Sequence, residues 1–236
     1  MQTHLISELQ SKELLDILLA DKINYTYNIR KNELEFYDGP QILLKFRIPI
    51  SISSPNAYYN FPQDRASYVL ILIRSGIASV GYFEDGEVQD HKVIRAYMVR
   101  KKQGKSQIKY LKTKGKSRAG SRVRLASSLE FFEKINERLL TYFSRFSIER
   151  IGLSCPATLI PYFYGSKNPP PFGKADKKIL RIPMHVQNPT YETLEDVNAF
   201  MLKGELKYTE EGNSIFQEWT KKLLEGDNIG DDEDNW

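Results

Sequence analysis

The sequence of 236 residues contains a single cysteine, Cys155. One cysteine excludes an internal disulfide and any zinc site built from several thiolates. Cys155 ends an apolar run, residues 151–155, that predicts a buried strand. A free cysteine in such a strand is usually a small core residue rather than a nucleophile. The histidines His4, His91 and His185 share no metal-ligand spacing, so we expect no metal site and no cofactor.

Long apolar runs are also missing. No stretch approaches the roughly 18 consecutive apolar residues of a membrane-spanning helix. Residues 1–22 mix charged residues with leucines, whereas a secretory signal needs an uninterrupted apolar stretch after a basic end. We therefore expect a cytoplasmic protein without a membrane segment. Its 236 residues, 41% of them apolar, suffice for a substantial core.

Acidic residues are absent from residues 91–129, a window that holds 13 of the 34 Lys and Arg residues. The rest of the chain is acidic, with 21 basic against 30 acidic residues, although the whole chain carries +4. Charge concentrated in this way predicts binding to a polyanion, with nucleic acid as the expected partner. A solvated basic loop without chemistry is the alternative.

The first 60 residues predict a small N-terminal α+β unit. Residues 4–20 place leucines near helical spacing and predict an amphipathic helix. Residues 25–50 predict short strands with a turn at Asp38, Gly39 and Pro40. Residues 51–63 predict a connection to the main domain.

Residues 64–210 predict the main domain, an α/β (α+β) fold with a mixed sheet and flanking helices. Strands at 68–73, 77–83 and 93–99, joined by short turns, predict an antiparallel meander. An exposed loop over 101–118 precedes a long helix at 121–146, a strand at 148–154 and a short helix at 156–164. A loop at 165–173, an extended segment at 179–186 and a helix at 191–202 capped by Thr190 complete the domain. Residues 211–236 predict a C-terminal helix at 214–224 and an acidic tail.

Residues 100–107 contain the side chains best suited to chemistry. Gly104 allows the backbone to approach a ligand closely. The amide of Gln107 both accepts and donates hydrogen bonds, so it can orient a water or hydroxyl while contacting an oxyanion. Because an amide is no base near neutral pH, it must position the nucleophile or use a hydroxyl of the substrate.

Two short sequences, residues 104–106 and 115–117, imitate the end of a phosphate-binding P-loop. That motif needs an earlier glycine, where this chain has Val99 and Tyr110, and it must open directly into a helix. We expect neither copy to do so and exclude an NTPase.

These parts together resemble the release-factor-like domain of the Vms family, a relative of the glutamine-bearing central domain of eukaryotic class-1 peptide release factors. The resemblance covers about residues 64–210. It depends on a basic, glycine-containing loop ending in Gln107, with a small-residue step at Ala119 and Gly120. It extends to an aromatic-aromatic-glycine element at 162–165, to residues 181–183 and to the Pro-Thr helix start at 188–191.

The resemblance implies ribosome rescue in ribosome quality control: release of nascent chains from peptidyl-tRNA without a metal. In that family the tRNA is cut near its 3′ CCA end, so the chain is expected to be a peptidyl-tRNA hydrolase or a tRNA endonuclease. Its expected partners are tRNA and the large ribosomal subunit. Gln107 and Arg100 are the implied catalytic residues. The expected RNA-binding residues are Lys101, Lys102, Gly104, Lys105, Ser106, Lys109, Lys112, Lys114, Lys116, Arg118, Arg122 and Arg124.

Two stretches depart from the family pattern. Lys105 stands where a second glycine is common, and residues 125–128 replace the usual continuation after Arg124. These departures leave open a non-catalytic module that binds tRNA or the ribosome. The bond that is cut and the oligomeric state also stay open.

Overall fold

The computed structural model describes residues 1–20, 24–53, 55, 61, 64–96 and 117–227, with the backbone alone for 117–128 and 222–227. These residues form ten strands and five helices, arranged as two five-stranded sheets. Among them, no helix combines the length and apolar character needed to cross a membrane. The mixed α/β fold class predicted from the sequence is confirmed.

The first sheet is antiparallel and has the order β1-β10-β4-β3-β2. Its inner face carries alternate apolar residues such as Leu34, Phe36 and Phe46, which pack against two helices. Its outer face carries the charged residues between them. The elements are β1 (Gln2–Ile6), α1 (Glu8–Ala20), β2 (Asn24–Asn28), β3 (Glu33–Asp38), β4 (Gln41–Arg47), β10 (Gly204–Tyr208) and α5 (Asn213–Asp227).

The second sheet is mixed and has the order β7-β6-β5-β8-β9. β5, β6 and β7 form the predicted antiparallel meander, while β8 and β9 run parallel to β5. Helices cover both faces, which explains why β5 is apolar along its whole length. The elements are β5 (Tyr68–Arg74), β6 (Ile77–Glu84), β7 (Glu87–Arg95), α2 (Ser117–Arg145), β8 (Arg150–Ser154), α3 (Ile160–Tyr164), β9 (Ile179–Arg181) and α4 (Tyr191–Met201).

The N-terminal helix begins later than the leucine pattern predicted. Residues 2–6 form β1, and the helix starts at Glu8 because Ser7 and Gln10 form a capping box. Ser7 Oγ accepts from the Gln10 N–H at 3.2 Å, and Gln10 Oε1 accepts from the Ser7 N–H at 3.1 Å. Leu5 is therefore an exposed strand residue rather than part of the helix.

Further boundaries differ from the predicted ones. β7 begins at Glu87 rather than at residue 93, and residues 97–99 of the predicted strand lie outside the described residues. The short helix α3 begins at Ile160 rather than Pro156, since a turn closed by the Leu159 N–H on the Pro156 carbonyl comes first. Only residues 179–181 of the predicted segment 179–186 form a strand, because Pro183 has no N–H to donate. The long helix begins at Ser117, the last residue of the second P-loop-like sequence, so Arg118 is helical. The P-loop interpretation still fails at Tyr110, where a glycine is required.

β10 is a strand that the sequence reasoning missed. It pairs with both β1 and β4, so the first sheet is completed by residues far along the chain. Thr190 caps α4 as predicted, with its Oγ1 accepting from the Thr193 N–H at 3.2 Å.

Candidate nucleic-acid interface

Residues 97–116, which we call the basic segment, lie outside the described residues. They include both expected catalytic residues, Gln107 and Arg100, and most expected RNA-binding residues: Lys101, Lys102, Gly104, Lys105, Ser106, Lys109, Lys112, Lys114 and Lys116. Arg118, Arg122 and Arg124 lie within the first eight residues of α2.

The two ends of the basic segment can be placed on the fold. β7 runs parallel to β5, β8 and β9, so all four strands end at the same edge of the second sheet, which we call the carboxyl edge. The Ala96 N–H donates to the Gly76 carbonyl at 2.9 Å just after β7 ends. The basic segment therefore leaves the sheet at the carboxyl edge.

α2 returns the chain toward the opposite edge, where β8 begins. The guanidinium of Arg138 pairs with the carboxylate of Asp90 on β7, which fixes the helix against that strand. Ser117 lies roughly 30 Å from Arg138 along the helix axis. Arg95 lies only about 17 Å from Asp90 along the strand. The first turns of α2, with three expected RNA-binding arginines, thus extend beyond the carboxyl edge.

A cleft of about 710 Å³ opens at the carboxyl edge, between the two sheets. The second sheet contributes the ends of β5, β8 and β9, and the first sheet contributes its charged outer face. Five basic side chains line the cleft against two carboxylates, so its charge is positive. These residues are Lys31, Arg47, Arg74, Arg181 and Lys207, with Glu33 and Glu205.

Cross-strand pairing positions the charges of the first sheet. Glu205, Arg47 and Glu33 form one row across β10, β4 and β3. Arg47 Nε lies 3.4 Å from Glu205 Oε2, and Lys207 Nζ lies 3.2 Å from the same oxygen. Lys31 Nζ lies 3.7 Å from Glu33 Oε1. Glu205 is thus paired with two cations. Glu33 is paired with one, and its Oε1 has no hydrogen-bond partner among the described residues.

Arg47 is the most deeply buried of the five cations, at 3% exposure. Its guanidinium lies over the ring of Phe200, 4.6 Å from the centroid. Burial lowers the pKa of Arg47, and the neighbouring Glu205 opposes that shift. Its two terminal nitrogens have no hydrogen-bond partner among the described residues.

Arg74 and Arg181 come from the second sheet. Arg74 Nε donates to the Val186 carbonyl, and its Nη2 lies 3.3 Å from His185 Nδ1. Arg181 is exposed, and its side chain makes no hydrogen bond to any described residue. Within the described part of the chain, neither arginine lies within ion-pair distance of a carboxylate.

Arg74 is also aligned with the end of β7. Arg74 pairs with Ile77 on β6, and Ile77 pairs with Arg95 on β7. Directly paired residues point to the same face of a sheet, so these two arginines share a face about 10 Å apart, across two strand spacings. The cleft and the start of the basic segment are therefore neighbours at the carboxyl edge.

Cys155 follows β8 and lines the cleft, half-buried. Burial raises the pKa of its thiol to about 12, with a small opposing effect of Arg74. The thiol is thus almost entirely protonated near neutral pH, which makes it a weak nucleophile. In the regions that the structure covers, no group of three or more His, Cys, Asp or Glu residues is arranged to hold a metal ion.

The aromatic-aromatic-glycine element has a structural role at the end of α3. Phe163 is fully buried in the core, whereas Tyr162 is 46% exposed. Asn136 of α2 donates from Nδ2 to the Phe163 carbonyl at 2.9 Å and to Ser166 Oγ at 2.7 Å. A Cβ on Gly165 would lie 2.7 Å from the Pro161 carbonyl oxygen, so the site requires glycine.

The cleft cations were missed by sequence reasoning because they share no local motif. The alternation of charged and apolar residues in β3 and β4 was a usable signal. It predicts a charged outer face, although it does not indicate which cations meet the second sheet.

Comparison with known proteins identifies a related family. The sequence model of the family described as Bacteroidetes VLRF1 release factor matches residues 68–211, more than half of the chain. Among solved structures, one titled "Vms1 mitochondrial localization core" is 13% identical, with a TM-score of 0.41. The match covers 86% of this chain and 82% of that chain. The comparison with curated proteins gives no match.

Proposed function

Because the chain belongs to the Bacteroidetes VLRF1 release-factor family, we propose that it releases nascent chains from peptidyl-tRNA in stalled ribosomes. Membership of a release-factor family supports a ribosome-associated function that involves tRNA. Beyond this, we propose that the chain binds the large ribosomal subunit, acts in the cytoplasm and acts on the tRNA 3′ end. Gln107 is the proposed functional glutamine.

One observation carries this proposal: the basic segment leaves the carboxyl edge inside the family-matched span and leads into α2. Gln107 would orient the attacking group, while Arg100, Lys102 and Lys105 hold phosphates and stabilise developing negative charge. In ester hydrolysis, water attacks the ester carbonyl, the bond to the ribose 3′ oxygen breaks, and that oxygen takes a proton. In tRNA cleavage, a ribose 2′-OH attacks the adjacent phosphorus and the 5′ oxygen of the next nucleotide leaves with a proton.

Stalled ribosome complexes test the proposal directly. Released peptide is measured together with the sequence of the tRNA 3′ end, for the wild type, Gln107→Ala and Gln103→Ala. Gln103 is a matched control because it is the same residue type within the same basic segment. We expect Gln107→Ala to lower the release rate by about 10²-fold or more, and Gln103→Ala to retain it. Equal release by Gln107→Ala contradicts the proposal.

A non-catalytic module that binds tRNA or the ribosome is the second candidate. It is favoured by Lys105, which replaces a glycine of the family pattern, and by the changed residues 125–128. This candidate predicts salt-sensitive binding without release. It also predicts that Gln107→Ala binds as well as the wild type.

A further inference from the structure

We propose that the cleft binds the backbone phosphates of the single-stranded 3′-terminal nucleotides of an RNA. This inference deepens the function proposed above, since it gives the same tRNA a second contact surface. It concerns described residues alone, and it can be tested without ribosomes.

The charge of the cleft is available to a ligand. Glu205 and Glu33 are paired with Arg47, Lys207 and Lys31. Arg74 and Arg181 have no carboxylate partner in the described chain, so they offer guanidinium groups to an anion. Planar guanidinium groups suit phosphate oxygens because they donate two parallel hydrogen bonds.

Arg47 supplies an independent indication. Its side chain is almost fully buried, it lines the cleft, and its two terminal nitrogens donate to no described residue. Although Nε of the same guanidinium donates to Glu205, buried terminal nitrogens without hydrogen-bond partners are costly. A phosphate oxygen in the cleft would offset that cost, which an apolar ligand could not do.

The lining of the cleft favours a nucleic-acid backbone over a free nucleotide. Among the described residues that line it, none is Phe, Tyr or Trp. The imidazole of His185 is the one aromatic ring of this described lining, so the cleft has little with which to stack a base. Recognition through phosphates, without selection of the base, is what this lining supports.

The position of the cleft connects it to the basic segment. Arg74 in the cleft and Arg95 at the end of β7 share a face about 10 Å apart. A distance of this size is within the reach of a few nucleotides of a single RNA strand. The same strand can thus contact the basic segment and enter the cleft.

The primary test uses a labelled short single-stranded RNA ending in CCA and the full chain carrying Gln107→Ala, which removes the proposed chemistry. We expect Arg181→Gln to raise the dissociation constant of the RNA about tenfold. This is the effect of losing one charge-assisted hydrogen bond. Arg181→Gln should fold normally, because the side chain makes no hydrogen bond to a described residue. Arg145→Gln removes the same charge at the far end of α2 and should bind like the parent.

Cys155 provides a second readout inside the cleft. It is the only thiol of the chain and it lines the cleft. Its raised pKa makes alkylation slow, so the reaction uses excess N-ethylmaleimide and is followed over time by mass spectrometry. The RNA should slow alkylation at least about threefold, in proportion to the occupied fraction. Arg181→Gln should reduce this protection at the same RNA concentration.

Two results would overturn the inference. In the first, Arg181→Gln binds as tightly as the parent and the RNA leaves Cys155 alkylation unchanged. In the second, adenosine monophosphate or inorganic phosphate displaces the RNA at equal phosphate concentration, which makes the cleft a free-anion site. Cleft binding together with no peptide release on ribosomes would contradict the proposed function alone.

Discussion

Arg150 Nη2 donates to Asn32 Oδ1 at 3.3 Å, which joins the start of β8 to the turn between β2 and β3. Arg150 is fully buried and also donates to the Ile52 carbonyl at 2.7 Å. Asn32 Oδ1 accepts from the Tyr27 hydroxyl at 2.6 Å, and its Nδ2 donates to the Ile48 carbonyl at 2.8 Å. This network holds the two sheets together.

Replacement of Asn32 tests the importance of this network. Asn32→Ala removes the acceptor for Arg150 and places alanine at a φ of 54°, which disfavours a side chain without local hydrogen bonds. We expect the free energy of unfolding to fall by about 3 kcal/mol in urea titrations. Asn188→Ala, at an exposed position, is the control and should change it by less than about 0.5 kcal/mol. Equal stabilities for the two variants would show that the junction is held by other contacts.

The fold could be predicted where the local sequence pattern of a segment determines its secondary structure. The strand at residues 68–73 is continuous in apolar residues because it is buried on both faces, and Thr190 marks the start of α4 with a cap. β10 has only a five-residue alternation. It becomes a strand because β1 and β4 pair with it across most of the chain length. The local sequence of a segment contains almost no information about such long-range pairing.

The same distinction applies to the candidate site. The sequence predicted the basic segment because its cations lie close together along the chain. Arg47, Arg74 and Arg181 meet at one cleft only after two sheets have formed and packed together. No spacing rule relates these positions, so the cleft follows from the topology alone.

Gly165 is predicted to be intolerant of a side chain. The Cβ of Gly165→Ala would lie 2.7 Å from the backbone oxygen of Pro161, which cannot move aside cheaply at the end of α3. We expect a loss of about 2 kcal/mol in the free energy of unfolding. Gly173→Ala is the matched control, because a Cβ there meets no atom within 4 Å. A loss of the same size in both variants would contradict the steric explanation.

Glu35 should contribute to stability in a pH-dependent manner. Its carboxylate accepts hydrogen bonds from Lys45 at 2.6 Å and from Tyr37 at 2.8 Å. These bonds, with Lys45 the larger cause, lower the pKa of Glu35 below its usual 4.5. A lowered pKa stabilises the folded state above pH 4.5, and that contribution is lost as the pH falls through the lowered pKa.

The variant Glu35→Gln should therefore be less stable than the wild type at neutral pH, by up to about 1 kcal/mol. The difference should shrink as the pH falls below 4.5, and chemical denaturation across that range measures it. Glu210→Gln, at an exposed position, is the control and should show a smaller difference. A difference for Glu35→Gln that stays constant with pH would assign the effect to packing rather than to charge.

Neutralising lysines of the basic segment should reduce the salt dependence of RNA binding in proportion to the number of lysines changed. Each lysine that neutralises a phosphate releases counterions, and contributes about 0.7 to the slope of log K against log salt for single strands. Changing Lys112, Lys114 and Lys116 together to Gln should lower the slope by about two. The control changes three exposed lysines outside the segment, Lys167, Lys177 and Lys203, and should leave the slope unchanged. If both triple variants lower the slope equally, binding follows the net charge of the chain, and the basic segment is no specific contact.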